Sequence, residues 1–267
     1  ALSSAASDVY KRQVYIQLVA GSGYPHSIPY RAGSVDRERI VMTDISITIV
    51  AYNDEEDVRN AVCSIMEHTV ATIQKKIYIV DNSSEKNELE SFASQWEDVL
   101  YRRPEQNLGF GAGHNFILPE LDSKYHAIVN PDIILTEDSF AILMKFMEEK
   151  KAGMAVPKMT DENGNLQAVY RRELTVLDMG IRMFLSSHFK KRQAYHTMQD
   201  MDYSKPFQVP FAQGSFLVIR TELFKKLGGF DTRYFMYMED ADLCRQVNQC
   251  SSLYYLSLIH ISEPTRP

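Results

Sequence analysis

Cysteine is scarce in this chain. Cys63, Cys244 and Cys250 are the only three in 267 residues, and their spacing forms neither a redox pair nor a metal-ligand run. That argues against a disulfide framework and points to a reducing compartment. Long apolar runs are missing too: the longest, such as Ile45 to Ala51, falls far short of the ~20 residues that span a bilayer. The N-terminus lacks the basic region and apolar core of a signal peptide, so the cytoplasm is the expected compartment. Nor is there an excess of positive charge. Lys+Arg number 29 against 35 Asp+Glu, a formal net charge of −6, which argues against nonspecific nucleic-acid binding as the main role. The best basic patch, Lys190-Lys191-Arg192, reads as a solvated face. What is left is an ordinary globular composition, 45% hydrophobic and 24% charged, in a chain long enough to bury a sizeable core.

Both ends read as foreign. Ser3 to Gln13 (SSAASDVYKRQ) and Leu258 to Pro267 (LIHISEPTRP) resemble translated sequencing-adapter read-through, and Met42 is the expected natural start. The expected division is a non-native or disordered extension over residues 1–41, one domain over 42–249 in two halves (42–157 and 158–249), and a foreign-looking tail over 250–267.

Between those ends the apolar pattern is that of an open α/β sheet. Ile45 to Ala51 (ISITIVA) is a β-branched run of the kind buried on both faces, and Val58, Val62, Ile65 and Thr69 then recur at helical spacing behind Asn53 or Asp54 as cap. Lys76 to Val80 (KIYIV) repeats the unit, ahead of a helix marked by Leu89, Phe92 and Trp96. Val99 to Arg102, Tyr125 to Val129, Gly153 to Val156 and Gln213 to Arg220 read as further strands. Thr136 is the expected cap of a helix with Phe140, Leu143, Met144 and Met147 on one face. Residues 163–206 lose periodicity, as an insertion or lid would.

Residues able to do chemistry fall where those strands end. Asp81-Asn82-Ser83-Ser84 closes the second strand, where open α/β sheets place ligand contacts; an ordinary turn and helix cap accounts for the same residues. In Asn107 to Asn115 (NLGFGAGHN), alternating glycines would let backbone amides approach an anion at a helix start. A dinucleotide fingerprint fails there, because its third glycine would fall at His114 and the loop follows the third strand rather than the first. Pro131 should stop strand pairing and leave Asp132 facing the crevice as a hard oxygen ligand for Mg²⁺ or Mn²⁺, although Asn130-Pro131-Asp132 is also a common turn tripeptide. Last, Glu239, Asp240 and Asp242 follow the run Tyr234-Phe235-Met236-Tyr237-Met238. Carboxylates beside apolar surface are poorly solvated and gain proton affinity, which makes Asp240 the candidate base. An acidic helix start explains these acids equally well.

Taken in order, IVAYN (Ile49 to Asn53), VDNSS (Val80 to Ser84), NLGFGAGHN (Asn107 to Asn115), NPD (Asn130 to Asp132), GSFLVIR (Gly214 to Arg220), GGFD (Gly228 to Asp231) and FMYMEDADLCR (Phe235 to Arg245) resemble the family 2 glycosyltransferases, and among them the bacterial rhamnosyltransferase-like members. The resemblance implies an α/β fold of GT-A type: a Rossmann-like, mostly parallel central sheet flanked by helices. A nucleotide-sugar-binding half (42–157) would join an α+β half (158–249) that binds the acceptor and carries the base. It implies an inverting transfer dependent on Mg²⁺ or Mn²⁺. A sugar, rhamnose by branch, would pass from a nucleotide-diphosphate donor to a hydroxyl of a cell-surface glycan or lipid-linked precursor, the latter drawing the enzyme to the inner face of the plasma membrane.

By the same resemblance, Tyr52 and Asp81 correspond to residues that hold the pyrimidine base. Asn53, Asn107, Gly109, Gly111, Asn115 and Asn130 fall in the nucleotide-sugar motifs. Asp132 corresponds to the metal ligand, Asp240 to the base, and Glu239 to a residue orienting the acceptor. The family often has aspartate where this chain has Asn130, though NPD is usual in the rhamnosyltransferase-like branch. Two rival readings stay open: a noncatalytic nucleotide-sugar-binding or assembly protein, and a nucleotidyltransferase. The second would need basic residues where Tyr52-Asn53-Asp54-Glu55-Glu56 offers acids.

Overall fold

The computed structural model describes residues 14–16, 43–161, 163–167, 169–172 and 190–257. The rest of the N-terminal extension and the tail from 258 lie outside them. In chain order the elements are β1 (Val14–Ile16), β2 (Ile45–Ala51), α1 (Glu55–His68), β3 (Lys75–Asp81), α2 (Leu89–Ala93), β4 (Val99–Arg102), α3 (Phe110–Asn115), β5 (Tyr125–Val129), β6 (Ile133–Leu135), α4 (Ser139–Lys150), β7 (Met154–Pro157), β8 (Tyr170–Arg171), α5 (Lys190–His196), β9 (Phe207–Gln208), β10 (Phe211–Ala212), β11 (Phe216–Arg220), α6 (Thr221–Leu227), α7 (Glu239–Cys250) and β12 (Leu253–Leu256).

The β-branched run at β2 is buried along its whole length, as a strand without a polar face must be. Its one serine is satisfied inside the core, where Ser46 Oγ lies 2.9 Å from His126 Nδ1 and 2.7 Å from Ser123 Oγ. The central sheet has eight strands in the order β4-β3-β2-β5-β11-β7-β12-β9. From β4 to β5 every pairing is parallel. At β11 the direction reverses: it runs antiparallel to β5 on one side and β7 on the other. That reversal positions the site. Phe216 pairs with Val129, so the start of β11 arrives at the same sheet edge as the carboxyl ends of β2, β3 and β5.

Several local expectations shift. The cap of α4 is Asp138, whose Oδ1 accepts the Ala141 N–H at 3.1 Å, rather than Thr136; the chain stays extended through β6 and begins its helix later. Helix α2 stops at Ala93, leaving Trp96 to pack edge-on against Phe92 at 4.9 Å from outside it. The sheet also continues past Gln249. Strand β12 pairs parallel with β7 and antiparallel with β9, with Leu253 and Tyr255 fully buried, so the packed domain reaches Ser257. The local composition around Leu253–Leu256 joins the tail without a break, which hid a strand only four residues long. Within the extension, Val14–Ile16 is extended and pairs parallel with β6.

Candidate active site

Asp81 ends β3 with its side chain completely out of solvent, and four neighbours donate to it. The Ser83 N–H reaches Oδ1 at 2.9 Å, while Asn87 Nδ2 (2.9 Å), the Tyr101 hydroxyl (2.7 Å) and the Arg103 guanidinium (2.6 Å) reach Oδ2. Burial alone would raise its proton affinity, but the hydrogen bonds from Ser83, Tyr101 and Asn87 outweigh it and hold the carboxyl below its ordinary value. Arg103 also donates to the carbonyls of Ser83 (2.7 Å) and Glu85 (3.3 Å), tying the loop after β3 to the end of β4. Sequence reasoning passed over this arginine. Its only signal was a cation just past a strand end on the crevice side.

Beside Asp81 opens a cavity of about 300 Å³ lined by Tyr52, Asn82, Ser83, Ser84, Arg103 and Asn107, among others. Tyr52 is 52% exposed and lines the opening. Asn53 adopts a left-handed conformation (φ 58). Its N–H donates to Ser83 Oγ at 2.9 Å and its Nδ2 to Ser84 Oγ at 3.4 Å, so it fastens the ends of β2 and β3 to each other.

The glycine loop does a different job from the one its sequence suggests. Two of the amides at the start of α3 are already engaged: Gly109 N–H donates to Asn107 Oδ1 at 2.8 Å and Phe110 N–H to the Phe235 carbonyl at 3.1 Å. At Gly109 (φ +79) an added Cβ would sit 2.1 Å from the Phe235 oxygen, and at Gly111 it would press on Phe230 and Glu239. These glycines let α3 lie flat against the segment leading into α7. Asn115 is occupied as well. Its Nδ2 donates to the Phe230 carbonyl (2.7 Å) and its Oδ1 accepts the Phe230 N–H (2.9 Å), clamping the Gly228-Gly229 turn.

Asn130 and Asp132 follow β5, where Pro131 ends the ladder. The Asn130 N–H donates to the Ser215 carbonyl at 2.8 Å. Both residues keep a buried side-chain oxygen, Oδ1 in each case, without a partner. Asp132 is pushed up to about 6, by burial first and then by the nearby carboxylates of Asp57 and Asp54.

One residue before Ser215, the Gly214 N–H donates to Asp240 Oδ2 at 3.0 Å, while the Ala241 N–H takes Oδ1 at 2.8 Å. Asp240 is therefore joined, through two consecutive residues, to the end of β5 that bears Asn130. Burial raises its pKa, and those backbone hydrogen bonds offset only part of the rise. Glu239 is 4% exposed with Oε2 unpartnered, and burial followed by the charge of Asp240 pushes it to about 7. The preceding aromatics do not cause this desolvation. Tyr234, Phe235, Met236, Tyr237 and Met238 are all exposed, by 37–57%. It comes from the seat of α7 against Gly111 and Gly214, where the Phe110 ring closes the space.

The sequence model of glycosyl transferase family 2 matches residues 46–228. The chain is 25% identical over 217 residues to the N-acetylglucosaminyl-diphospho-decaprenol L-rhamnosyltransferase of Mycobacterium tuberculosis, across 76% of this chain and 70% of that protein. To rhamnosyltransferase WbbL of Escherichia coli K12 it is 30% identical over 161 residues, 57% of this chain and 59% of that one. Among solved structures, GalNAc-T7 with UDP, GalNAc and Mn²⁺ superposes with a TM-score of 0.61 at 16% identity, over 81% of this chain and 43% of that chain. S. aureus TarS 1-349 superposes with a TM-score of 0.55, also at 16% identity, over 80% and 60%. This chain thus spans less than half of one neighbour and about three fifths of the other.

Proposed function

The chain belongs to glycosyl transferase family 2 and has the GT-A type fold, and from that premise we propose that it moves a sugar from a nucleotide diphosphate to a hydroxyl of a cell-surface glycan or its lipid-linked precursor, inverting the anomeric centre. The observation that carries this reading is the seat of Asp240: a desolvated carboxylate, fixed by the Gly214 N–H, on the sheet edge that also bears Asn130, Asp132 and the cavity beside Asp81. Rhamnose is the donor sugar favoured by the names of two relatives.

Tyr52 would lie against the pyrimidine, while Asp81, buried and already accepting from four donors, would hold the base through the residues it fixes at the cavity wall, Ser83 and Arg103. Asn107 lines the same cavity. The unpartnered oxygens of Asp132 and Asn130 fit a hard cation, Mg²⁺ or Mn²⁺. Among the described residues no three His, Cys, Asp or Glu side chains gather into a metal site, so donor phosphates and water would complete the shell. Such an ion, when bound, supplies charge neutralisation at the departing diphosphate. Asp240 takes the proton of the acceptor hydroxyl as its oxygen bonds to the anomeric carbon, and the bond from that carbon to the diphosphate oxygen breaks with its electron pair. A single displacement inverts the centre. Glu239, nearly out of solvent and with its proton affinity raised by burial and by the charge of Asp240, would orient the acceptor.

No helix among the described residues is long and apolar enough to cross a membrane; a lipid-linked acceptor would bring a cytoplasmic enzyme to the inner face of the plasma membrane. The test is a donor screen by mass spectrometry with prenyl-diphosphate-linked and glycan acceptors. A glycosylated product is expected, and nucleotide binding with no product from any donor would leave the noncatalytic binder as the better reading.

A further inference from the structure

Five consecutive large hydrophobic side chains stand in solvent directly ahead of Glu239 and Asp240. Tyr234, Phe235, Met236, Tyr237 and Met238 are 37–57% exposed, Phe235 the most. A contiguous apolar stretch left outside the core marks a place where something binds. The backbone beneath it is fixed. The Tyr234 N–H donates to the Asp231 carbonyl (3.2 Å), and the Phe235 carbonyl accepts the Phe110 N–H (3.1 Å), so Phe235 is held on either side while much of its ring stays outside. Tyr237 and Met238 then take left-handed conformations (φ 70 and 74), a strain that persists only where surrounding structure enforces it and that gathers at functional sites.

Helix α3 fixes where this ring stands. The Phe235 ring meets the Cβ position of Gly109 at 2.9 Å, and Glu239 meets that of Gly111 at 3.4 Å. In helix geometry those two glycines are about 5 Å apart, close to the width of one pyranose ring. On its other side Gly109 is bonded to Asn107, which lines the cavity beside Asp81. The Phe235 ring therefore lies between the donor cavity and the acids of α7, where a sugar offering its hydroxyl to Asp240 would have to lie.

Charge decides among the occupants. Residues 231–245 hold four acids and two arginines, and both arginines are paired, Arg233 with Asp231 and Arg245 with Asp242. Glu239 and Asp240 leave the surroundings acidic. That repels an anionic lipid surface, a phosphate or a sugar acid at this position. An uncharged pyranose fits, because one of its faces is a patch of C–H groups that packs on an aromatic face while its hydroxyls reach water or a carboxylate.

Resting on the glycosyl-transfer reading, we propose that Phe235 is the platform on which an uncharged acceptor pyranose stacks with its edge toward Asp240, and that this position excludes sugars carrying a carboxylate.

The test is saturation-transfer NMR on the full chain with UDP and Mg²⁺ present. The probes are methyl glucoside and methyl galactoside, with methyl glucuronide and methyl galacturonide as their charged counterparts. Saturation is expected to reach the ring C–H protons of at least one neutral glycoside. Its affinity should fall about fivefold or more in Phe235→Ala and in Phe235→Leu, persist in Phe235→Trp, and exceed that of its charged counterpart about tenfold or more. An unchanged UDP affinity shows each variant to be folded. The proposal is overturned by no saturation of either neutral glycoside, by equal affinity in the Ala and Leu variants, or by equal affinity for the charged counterpart. Vesicle sedimentation and analytical ultracentrifugation give the rival occupants. If Phe235→Ala releases the chain from phosphatidylcholine vesicles or splits a dimer while sugar binding stays, the platform is overturned in favour of a lipid surface or a second copy. UDP titration of the unsubstituted chain is read separately, and its failure counts against the glycosyl-transfer reading rather than the platform.

Discussion

Asp81 and Asp240 stand at the same edge of one sheet and behave in opposite ways. Asp81, on the parallel side, is held by Ser83, Asn87, Tyr101 and Arg103, and its pKa falls. Asp240, where the sheet turns antiparallel, accepts two backbone N–H groups and its pKa rises. Burial pushes both upward. What separates them is the number and charge of the donors. Each outcome would suit a different task in the proposed reaction, with a permanent carboxylate anchoring Arg103 and the loop after β3 at the cavity and a proton-hungry one for chemistry.

The sharpest break in this comparison is Asp240→Asn, expected to cost about 10²–10⁴-fold in kcat while UDP or dTDP affinity stays within a few fold. Initial rates and titration calorimetry check the pair, and parallel losses in both would end the division of labour. Next is Gly109→Ala, which sets a Cβ 2.1 Å from the Phe235 carbonyl at φ +79. It should lower stability by about 1–3 kcal/mol or more, read as a fall in thermal midpoint, and should loosen α3 from the acidic segment.

Arg103→Gln removes a charged donor from buried Asp81 and is expected to weaken nucleotide binding about tenfold with kcat at saturating donor little changed. A kcat loss equal to that of Asp240→Asn would show the two halves to be one unit. The smallest effect concerns pH. The folded-state pKa of Glu239, about 7, lies above its ordinary 4.5. Its contribution is therefore full below 4.5 and disappears as pH rises through 7. Between pH 7.5 and 5.5 Glu239 should add to the thermal midpoint of the nucleotide-free protein, so the change in Glu239→Gln should be less favourable than in the unsubstituted chain; buried His114 and His126, whose proton affinity burial lowers, act in the opposite sense over the same window and are common to both proteins. Asp81 has the opposite sign, but its contribution is lost only below 3.8, outside that window.

The parallel half was legible because local pattern dictates it. Ile45–Ala51 and Tyr125–Val129 stand where the β-branched runs place them, since a strand without a polar face can only be interior. Asp81, Asp132 and Asp240 drew notice as acids at strand ends and a helix start, where turns and caps place acids as well; the pattern alone could not show that Asp240 is tied through Gly214 and Ser215 to the end of β5 that carries Asn130. The glycine loop was misjudged for a physical reason. A glycine that admits a ligand and one that admits a neighbouring backbone look alike in sequence, and here the neighbour is Phe235. Arg103 was missed because its partner is 22 residues away, with a helix and a strand between them. The exposure of Tyr234–Met238 was equally invisible, as an aromatic run reads as core until a fold shows no room for it.

Strand β12 has a consequence for how the molecule avoids sticking to itself. It lies between β7 and β9, so both of its backbone edges are used. Without those few residues β7 would become a bare rim of unpaired amides and carbonyls, and β9 would lose the one neighbour it has among the described strands. Clipping the chain after Gln249 should therefore do more than shorten it: the exposed rim would recruit other chains, and the damage would appear as aggregation before any loss of donor recognition.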